Sequence, residues 1–257
     1  MVRASIPVGG RGPAVHAIDP WASSTGRMRQ LLSDEERARL AVIASIVRFK
    51  RGAEIYREDH RADAIFNIIS GVVKAYKTAR DGSEYITAFL FADDLFGLSE
   101  EGRYTNSTKA VTLVTAFKIP VSALRSRLSK DASLEFHVIC KLCQELRQAQ
   151  RHAFILARRQ ALLKVAMFLQ LLEQLQVARG ENTTEVYLPM NRSDICEYLG
   201  MSLEAVSRAF RSLTARGIIK SRDRWHLRII DRAAFEKIAD DTTHRRPPAA
   251  PPWPGSP

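Results

Sequence analysis

Residues 191–211 read NRSDICEYLGMSLEAVSRAFR, and this stretch decides the fold. Ile195 and Leu199 stand four apart on one face of a short helix, and Gly200 closes it as a residue free to take positive φ. Met201 is apolar and expected to turn inward. Ser202 can cap a new helix with its hydroxyl, so a second helix is predicted from Leu203. On that helix Leu203, Val206 and Phe210 recur at three and four and are expected to pack on the first, with small Cys196 where the two come close. Glu204, Ser207 and Arg208 share the other side, because i, i+3 and i+4 are neighbours on a helix surface.

An outward Glu, Ser and Arg near a helix N-terminus suits a DNA major groove. Arginine can donate two bonds to guanine O6 and N7, glutamate can accept from cytosine N4, and serine can touch thymine. On a lone helix Glu204 and Arg208 would be only an i, i+4 pair on a solvated face. Two helices joined by a tight turn place such a face in the groove.

Working outward, residues 217–229 read GIIKSRDRWHLRI, a hairpin with Ser221-Arg222-Asp223-Arg224 at its tip, which is the wing of a winged helix. Arg192, Ser202, Arg211, Arg216, Lys220, Arg222 and Arg224 are the candidates for phosphate contacts, which hold register without reading sequence. Upstream, ALLKVAMFLQLLEQL at 161–175 is apolar on nearly every side, as a buried helix should be, and Val186-Tyr187-Leu188 reads as a short strand. Residues 131–157 form a long helix on which Ile139, Leu142, Leu146, Ala149, Ala153 and Leu156 alternate by three and four. That is the seam of a two-stranded coiled coil and predicts a homodimer; the other reading is an amphipathic helix packed on its own domain.

Between 47 and 120 the pattern changes to short apolar runs, VRFKRGAEIY, AIFNIISGVVKAYKTA, SEYITAFL, DLFGL and KAVTLVTAFKIP, with Asp81-Gly82 as a hairpin signal. Closely spaced strands of this sort fold as a double-sheet roll. The preceding run LLSDEERARLAVIASI at 31–46 is predicted helical, with Ser33 and Glu36 as a capping box.

The 191–211 stretch resembles the DNA-binding motif of the Crp/Fnr family of bacterial transcription regulators. Glu204, Ser207 and Arg208 match the E-x-x-S-R signature of its Fnr and FixK branches, the FixK branch being nearer. The similarity runs over residues 28–239. It implies an α+β architecture: a cyclic-nucleotide-binding-type β-roll at 28–130, a dimerisation helix at 131–159 and a winged helix-turn-helix at 160–240, while composition alone makes 1–27 a disordered arm and 241–257 a disordered proline-rich tail. It further implies palindromes of TTGA and TCAA half-sites, with Arg208 and Glu204 on the central G·C pair and Ser207 on the adjoining thymine. Twofold-related recognition helices would enter grooves about 34 Å apart. RNA polymerase is the implied second partner, for low-oxygen, respiratory or nitrogen-metabolism genes.

The sequence departs from the nucleotide-binding members at their ligand positions. Phe96-Gly97 is followed by Leu98 where those receptors carry a ribose-binding glutamate, and Asn106 stands where they carry a phosphate-binding arginine. A neutral amide cannot replace a bidentate guanidinium. No cysteine precedes Cys140, so the N-terminal cluster ligands of the Fnr oxygen sensors are missing. No cofactor is expected, and control is assigned to abundance, turnover or thiol state; a ligand-gated regulator of the same fold, taking a nucleotide or haem, is the alternative.

A net charge of +11 and a pI near 9.9 suit a polyanionic partner, while 46% hydrophobic and 26% charged residues describe a soluble chain. Neither a signal peptide nor a membrane span is read, and three cysteines fit a reducing cytoplasm. Cys140 and Cys143 lie within one predicted helix and are read as structural. Cys196 is the candidate redox thiol, with simple packing as its other reading. His60, His137 and His152 are too scattered to suggest a metal, and the strands lack the clustered histidines and carboxylates of a cupin enzyme, so no catalysis is expected.

Overall fold

The computed structural model describes residues 42–181 and 184–239. The N-terminal arm, the Ser33 capping box and the proline-rich tail lie outside the described residues. Eight strands come first: β1 (Ser45–Phe49), β2 (Glu54–Tyr56), β3 (Ala64–Ser70), β4 (Val73–Thr78), β5 (Glu84–Leu90), β6 (Leu95–Phe96), β7 (Ser107–Ala110) and β8 (Val114–Pro120). They form two antiparallel four-stranded sheets, ordered β1-β8-β3-β6 and β2-β7-β4-β5. Phe66, Ile68, Val73, Phe96 and Val114 are buried between them. Alternation along each strand supplies one inward side chain in two, which is why many short strands enclose one core.

The β4–β5 hairpin turns at the Asp81-Gly82 pair that the sequence marks. Gly82 takes φ +83°, the Ala79 amide donates to the Ser83 carbonyl at 2.9 Å, and the Asp81 carboxylate accepts from the Ser83 amide at 3.0 Å. The helix expected to run through residue 46 needs correction. Ser45 and Ile46 belong to β1, paired with Lys118 and Phe117. The neighbouring edge of β8 offers those backbone groups ladder bonds, and this outweighs their local helical pattern.

A helix not anticipated from the sequence, α1 (Val121–Leu128), follows β8 and precedes α2 (Ala132–Leu156). Asp131 caps α2, its carboxylate accepting from the Leu134 amide at 3.1 Å. The C-terminal part contains α3 (Ala161–Ala178), β9 (Val186–Tyr187), α4 (Arg192–Leu199), α5 (Leu203–Ala215), β10 (Ile219–Ser221), β11 (His226–Ile229) and α6 (Arg232–Ala239), with a small sheet ordered β10-β11-β9. By length and composition α3 could cross a membrane, contrary to the sequence reading, but half of it is buried inside this fold against α5 and α6.

The two parts share one core. Phe89 of β5 packs on Phe168 of α3 and Tyr198 of α4, with ring centroids 6.3 and 5.1 Å apart, and the His152 ring of α2 stacks on Tyr198 at 3.8 Å. Beside this aromatic contact, Lys74 of β4 is 8% exposed. Its ammonium reaches Asp194 at 2.9 Å and Glu197 at 3.4 Å on α4, and Glu84 on β5 at 3.0 Å. Burial works against the charge on Lys74, but the Asp194 and Glu84 carboxylates outweigh it and hold its pKa above the usual lysine range.

Replacing Lys74 with methionine keeps the stem but strands the buried Asp194 carboxylate, while Glu84 keeps Lys109 at 3.2 Å. The expected loss is about 3 kcal/mol in denaturant unfolding. Lys77→Met, which breaks the exposed 2.6 Å pair with Glu58, should change stability by less than about 1 kcal/mol. Equal losses for the two variants would remove Lys74 from the junction.

Candidate nucleic-acid interface

The helix-turn-helix is fixed by caps at each joint. Asn191 Oδ1 accepts from the Asp194 amide at 2.7 Å while Asp194 Oδ2 accepts from the Asn191 amide at 3.1 Å, a reciprocal capping box. Gly200 closes α4 at φ 59°, ψ 49°, the left-handed geometry that glycine adopts without steric cost. Ser202 Oγ then accepts from the Ala205 amide at 3.2 Å and starts α5. Val206, Ala209, Phe210 and Leu213 form the buried stripe of α5. Leu203, expected to join that stripe, is 56% exposed. It sits in the first turn, and the stripe is completed one turn further on by Ala209 and Leu213 instead.

On the open side Glu204 and Arg208 form an i, i+4 pair at 3.4 Å, with side chains 76% and 68% exposed, and Ser207 is half-buried beside them. Such a pair contributes about 0.3–0.5 kcal/mol in water. Both ends are therefore free to exchange each other for base edges at little cost.

The phosphate candidates divide into three groups. Arg211, Arg216, Lys220 and Arg224 are exposed. Ser202 is exposed with its oxygen used as a cap, which leaves its O–H to donate. Arg192 and Arg222 are engaged. The Arg192 guanidinium lies 3.4 Å from the Phe210 ring centroid, its Nη1 is shielded without a partner, and burial pulls its pKa down. Arg222 meets Glu185 at 2.8 Å and Asp223 at 3.3 Å. Asp223 organises the wing tip: its carboxylate accepts from the Trp225 amide at 2.7 Å and the His226 amide at 2.9 Å. Those donors, the Trp225 amide foremost, hold its pKa at about 2. An aspartate three residues before a returning strand, its carboxylate taking the amide two residues on, is an Asx-turn signal not read from the sequence.

Helix α2 carries two stripes. Leu134, His152 and Ile155 are buried within the chain, and Lys141 pairs with Asp94 at 2.7 Å. The expected seam lies on another side: Ile139 and Leu146 are 50% and 60% exposed, and Leu142, Ala149, Ala153 and Leu156 are exposed as well. Packing on its own roll and leaving an apolar stripe open are thus compatible, because different residues do each.

A cavity of about 420 Å³ opens between the roll, α2 and α3. Leu98 and Asn106 line it together with Tyr56, Tyr104, Glu145 and His152, and no Arg or Lys is among its described lining residues. A cyclic phosphate would meet a carboxyl there and no guanidinium. Burial pushes the Glu145 carboxyl up to about 7 despite nearby Lys141, and its Oε1 has no hydrogen-bond partner. Cys140 is half-buried, Cys143 exposed and Cys196 buried, and burial raises the Cys196 thiol pKa, which lowers its reactive thiolate fraction. Among the described residues no group of three His, Cys, Asp or Glu is placed to hold a metal.

Comparison with known proteins matches residues 163–238 to the Crp-like helix-turn-helix domain and residues 46–131 to the cyclic nucleotide-binding domain. The nitrogen fixation regulation protein FixK of Azorhizobium caulinodans is 31% identical over 214 residues, 82% of this chain and 86% of that protein. FixK of Bradyrhizobium diazoefficiens is also 31% identical, over 80% of this chain and 87% of that protein. The solved structure of FixK2 from Bradyrhizobium japonicum superposes with a TM-score of 0.70 at 28% identity, covering 76% of this chain and 97% of that one.

Glu145 generates a pH dependence. A carboxyl whose folded pKa lies above its unfolded value stabilises the fold below the unfolded pKa, and that contribution is lost as pH rises towards about 7. Glu145→Gln should therefore flatten the fall in melting temperature between pH 5 and pH 8 and raise stability at the upper end, as read by thermal unfolding across that range. A parallel pH profile in parent and variant would contradict the burial of this carboxyl.

Proposed function

Because the chain belongs to the Crp/Fnr family of DNA-binding transcription regulators, we propose that it acts as a FixK-like activator, bound as a homodimer to palindromes of TTGA and TCAA half-sites. The observation that carries this reading is the open Glu204-Ser207-Arg208 face on the first turns of a helix whose start is fixed by Gly200 and Ser202. Arg208 donates to guanine O6 and N7, Glu204 accepts from the paired cytosine, and Ser207 contacts the neighbouring thymine. Arg211, Arg216, Lys220, Arg222 and Arg224 contact phosphates, with Arg222 leaving Glu185 to do so. Arg192 braces α4 against α5 through Phe210 and approaches the backbone only at its edge.

Dimerisation uses the open stripe of α2, from Ile139 to Leu156, about 26 Å of helix. Ala149 and Ala153 let two such helices approach closely. The dimer then sets two copies of α5 about 34 Å apart. The protein works in the cytoplasm, recruits RNA polymerase at its promoters and serves low-oxygen, respiratory or nitrogen-metabolism genes, in keeping with the FixK regulators it is similar to. It catalyses no reaction.

Arg208→Ala should weaken binding to the specific palindrome by about 1–3 kcal/mol and relax the guanine preference, measured by footprinting and competition with substituted half-sites. An unchanged footprint would end the role given to Arg208. Leu146→Glu should convert the sedimenting dimer to a monomer and abolish cooperative occupation of the two half-sites. An unchanged mass would remove the α2 stripe from the interface.

A further inference from the structure

Helix α2 has a third side, turned away from both the roll and the open seam. Arg147, Gln150, Arg151 and Phe154 stand on it at i, i+3, i+4 and i+7, and so form one row about 10 Å long. After the joint at 157–160, helix α3 faces that row with the same spacing, in Met167, Gln170, Leu171 and Gln174. Between the two rows lies a groove of about 440 Å³. Its floor is apolar: Ile155 and Leu171 are buried, Met167 packs on the core beneath, and Phe154 is left 40% exposed.

The cations of this groove have nothing to pair with. Among the described residues neither Arg147 nor Arg151 meets a carboxylate, and both are exposed. Glu173 on α3 is turned to Arg232, and Glu145 on α2 lines the other cavity. One turn beyond Phe154, the Arg158 guanidinium lies 3.8 Å from the centroid of that ring, and its Nε and Nη2 have no hydrogen-bond partner. Arg147 and Arg151 are four apart on one face, where like charges repel each other. Parallel rows at this spacing are the ridges into which a further helix packs. With arginines along one edge and neutral glutamines along the other, the helix that fits carries carboxylates.

We propose that the α2–α3 groove is a docking site for an acidic amphipathic helix of a partner protein, its apolar side chains set on Phe154, Ile155, Met167 and Leu171 and its carboxylates on Arg147 and Arg151. A second copy of this chain would bring the same basic edge, so that a twofold contact here sets arginine against arginine. A nucleic acid would neutralise the arginines but leave the apolar floor unused. A helix seated on both rows bridges α2 and α3, and so holds the joint at 157–160, and the DNA-binding domain beyond it, at one angle. The site is separate from the base-reading face on α5.

The test uses the full-length protein and three labelled synthetic peptides of about 20 residues, followed by fluorescence anisotropy. One has leucines at i, i+3, i+4 and i+7 flanked by glutamates, the second has lysines in place of the glutamates, and the third has serines in place of the leucines. The parent should bind the first roughly tenfold more tightly than either of the others. Arg147→Glu together with Arg151→Glu should invert the preference towards the lysine peptide, a gain that misfolding cannot produce. Met167→Ala should weaken the glutamate-leucine peptide while leaving the order of charge preference. Arg125→Glu together with Lys130→Glu, at exposed positions before α2, makes the same change in net charge and should bind as the parent does. A parent that binds the three peptides alike, a groove variant that keeps the acidic preference, a control pair that loses it equally, or no loss with Met167→Ala would overturn the proposal. Displacement of the peptide by a palindromic duplex would overturn it too, by placing the peptide on the DNA-binding surface. Peptide binding read without DNA judges the groove whatever becomes of the α5 reading.

Discussion

Helix α4 has eight residues and is too short to persist on its own, so what holds its two ends decides where the recognition helix points. At its N-terminus one carboxylate does two things. Asp194 Oδ2 completes the capping box with Asn191, and Asp194 Oδ1 receives the Lys74 ammonium from the roll. At its C-terminus the orphan carbonyls of Tyr198 and Leu199 accept from His152 Nε2 at 2.6 Å and Lys164 Nζ at 2.9 Å. Donors from β4, α2 and α3 thus grip α4 at both ends. The turn at Gly200 then passes that orientation to α5.

The consequence is a division between charges that hold and, in the function proposed above, charges that read. Lys74 and Asp194 are both buried, and losing either leaves the other where water hardly reaches. Glu204 and Arg208 lie in water, where their pairing has little worth. Rigid placement of a loosely paired face is what base recognition needs, since the side chains must exchange partners quickly while the backbone beneath them stays put.

Local patterns made much of this legible. The capping serine, the closing glycine, the Asp81-Gly82 turn and the two periodicities are statements about neighbours in sequence, and the structure places a cap, a left-handed residue, a hairpin and the expected helices and strands there. What the sequence did not display depends on contacts across the chain. Lys74 and Asp194 are 120 positions apart, and nothing in the VVKAYKTA run distinguishes a lysine that will be buried from one that will face water. Arg192 read as a surface cation because its partner is the ring of Phe210, one helix away. Ser45 and Ile46 read as helix because the edge of β8 that claims them lies some 70 residues downstream.

Helix α2 joins these pieces through its two stripes. Leu142, Leu146 and Ala149 belong to the open stripe and also line the cavity, into whose wall Glu145 and His152 project from the inner side. A second α2 laid along the open stripe would close that edge of the cavity and reduce its access to water. The open stripe, the aromatic wall and the grip on Tyr198 are therefore neighbours within a few turns of the same helix. On the inner side of the same helix the His152 ring and its Nε2 both bear on Tyr198, at the end of α4 from which the recognition helix departs.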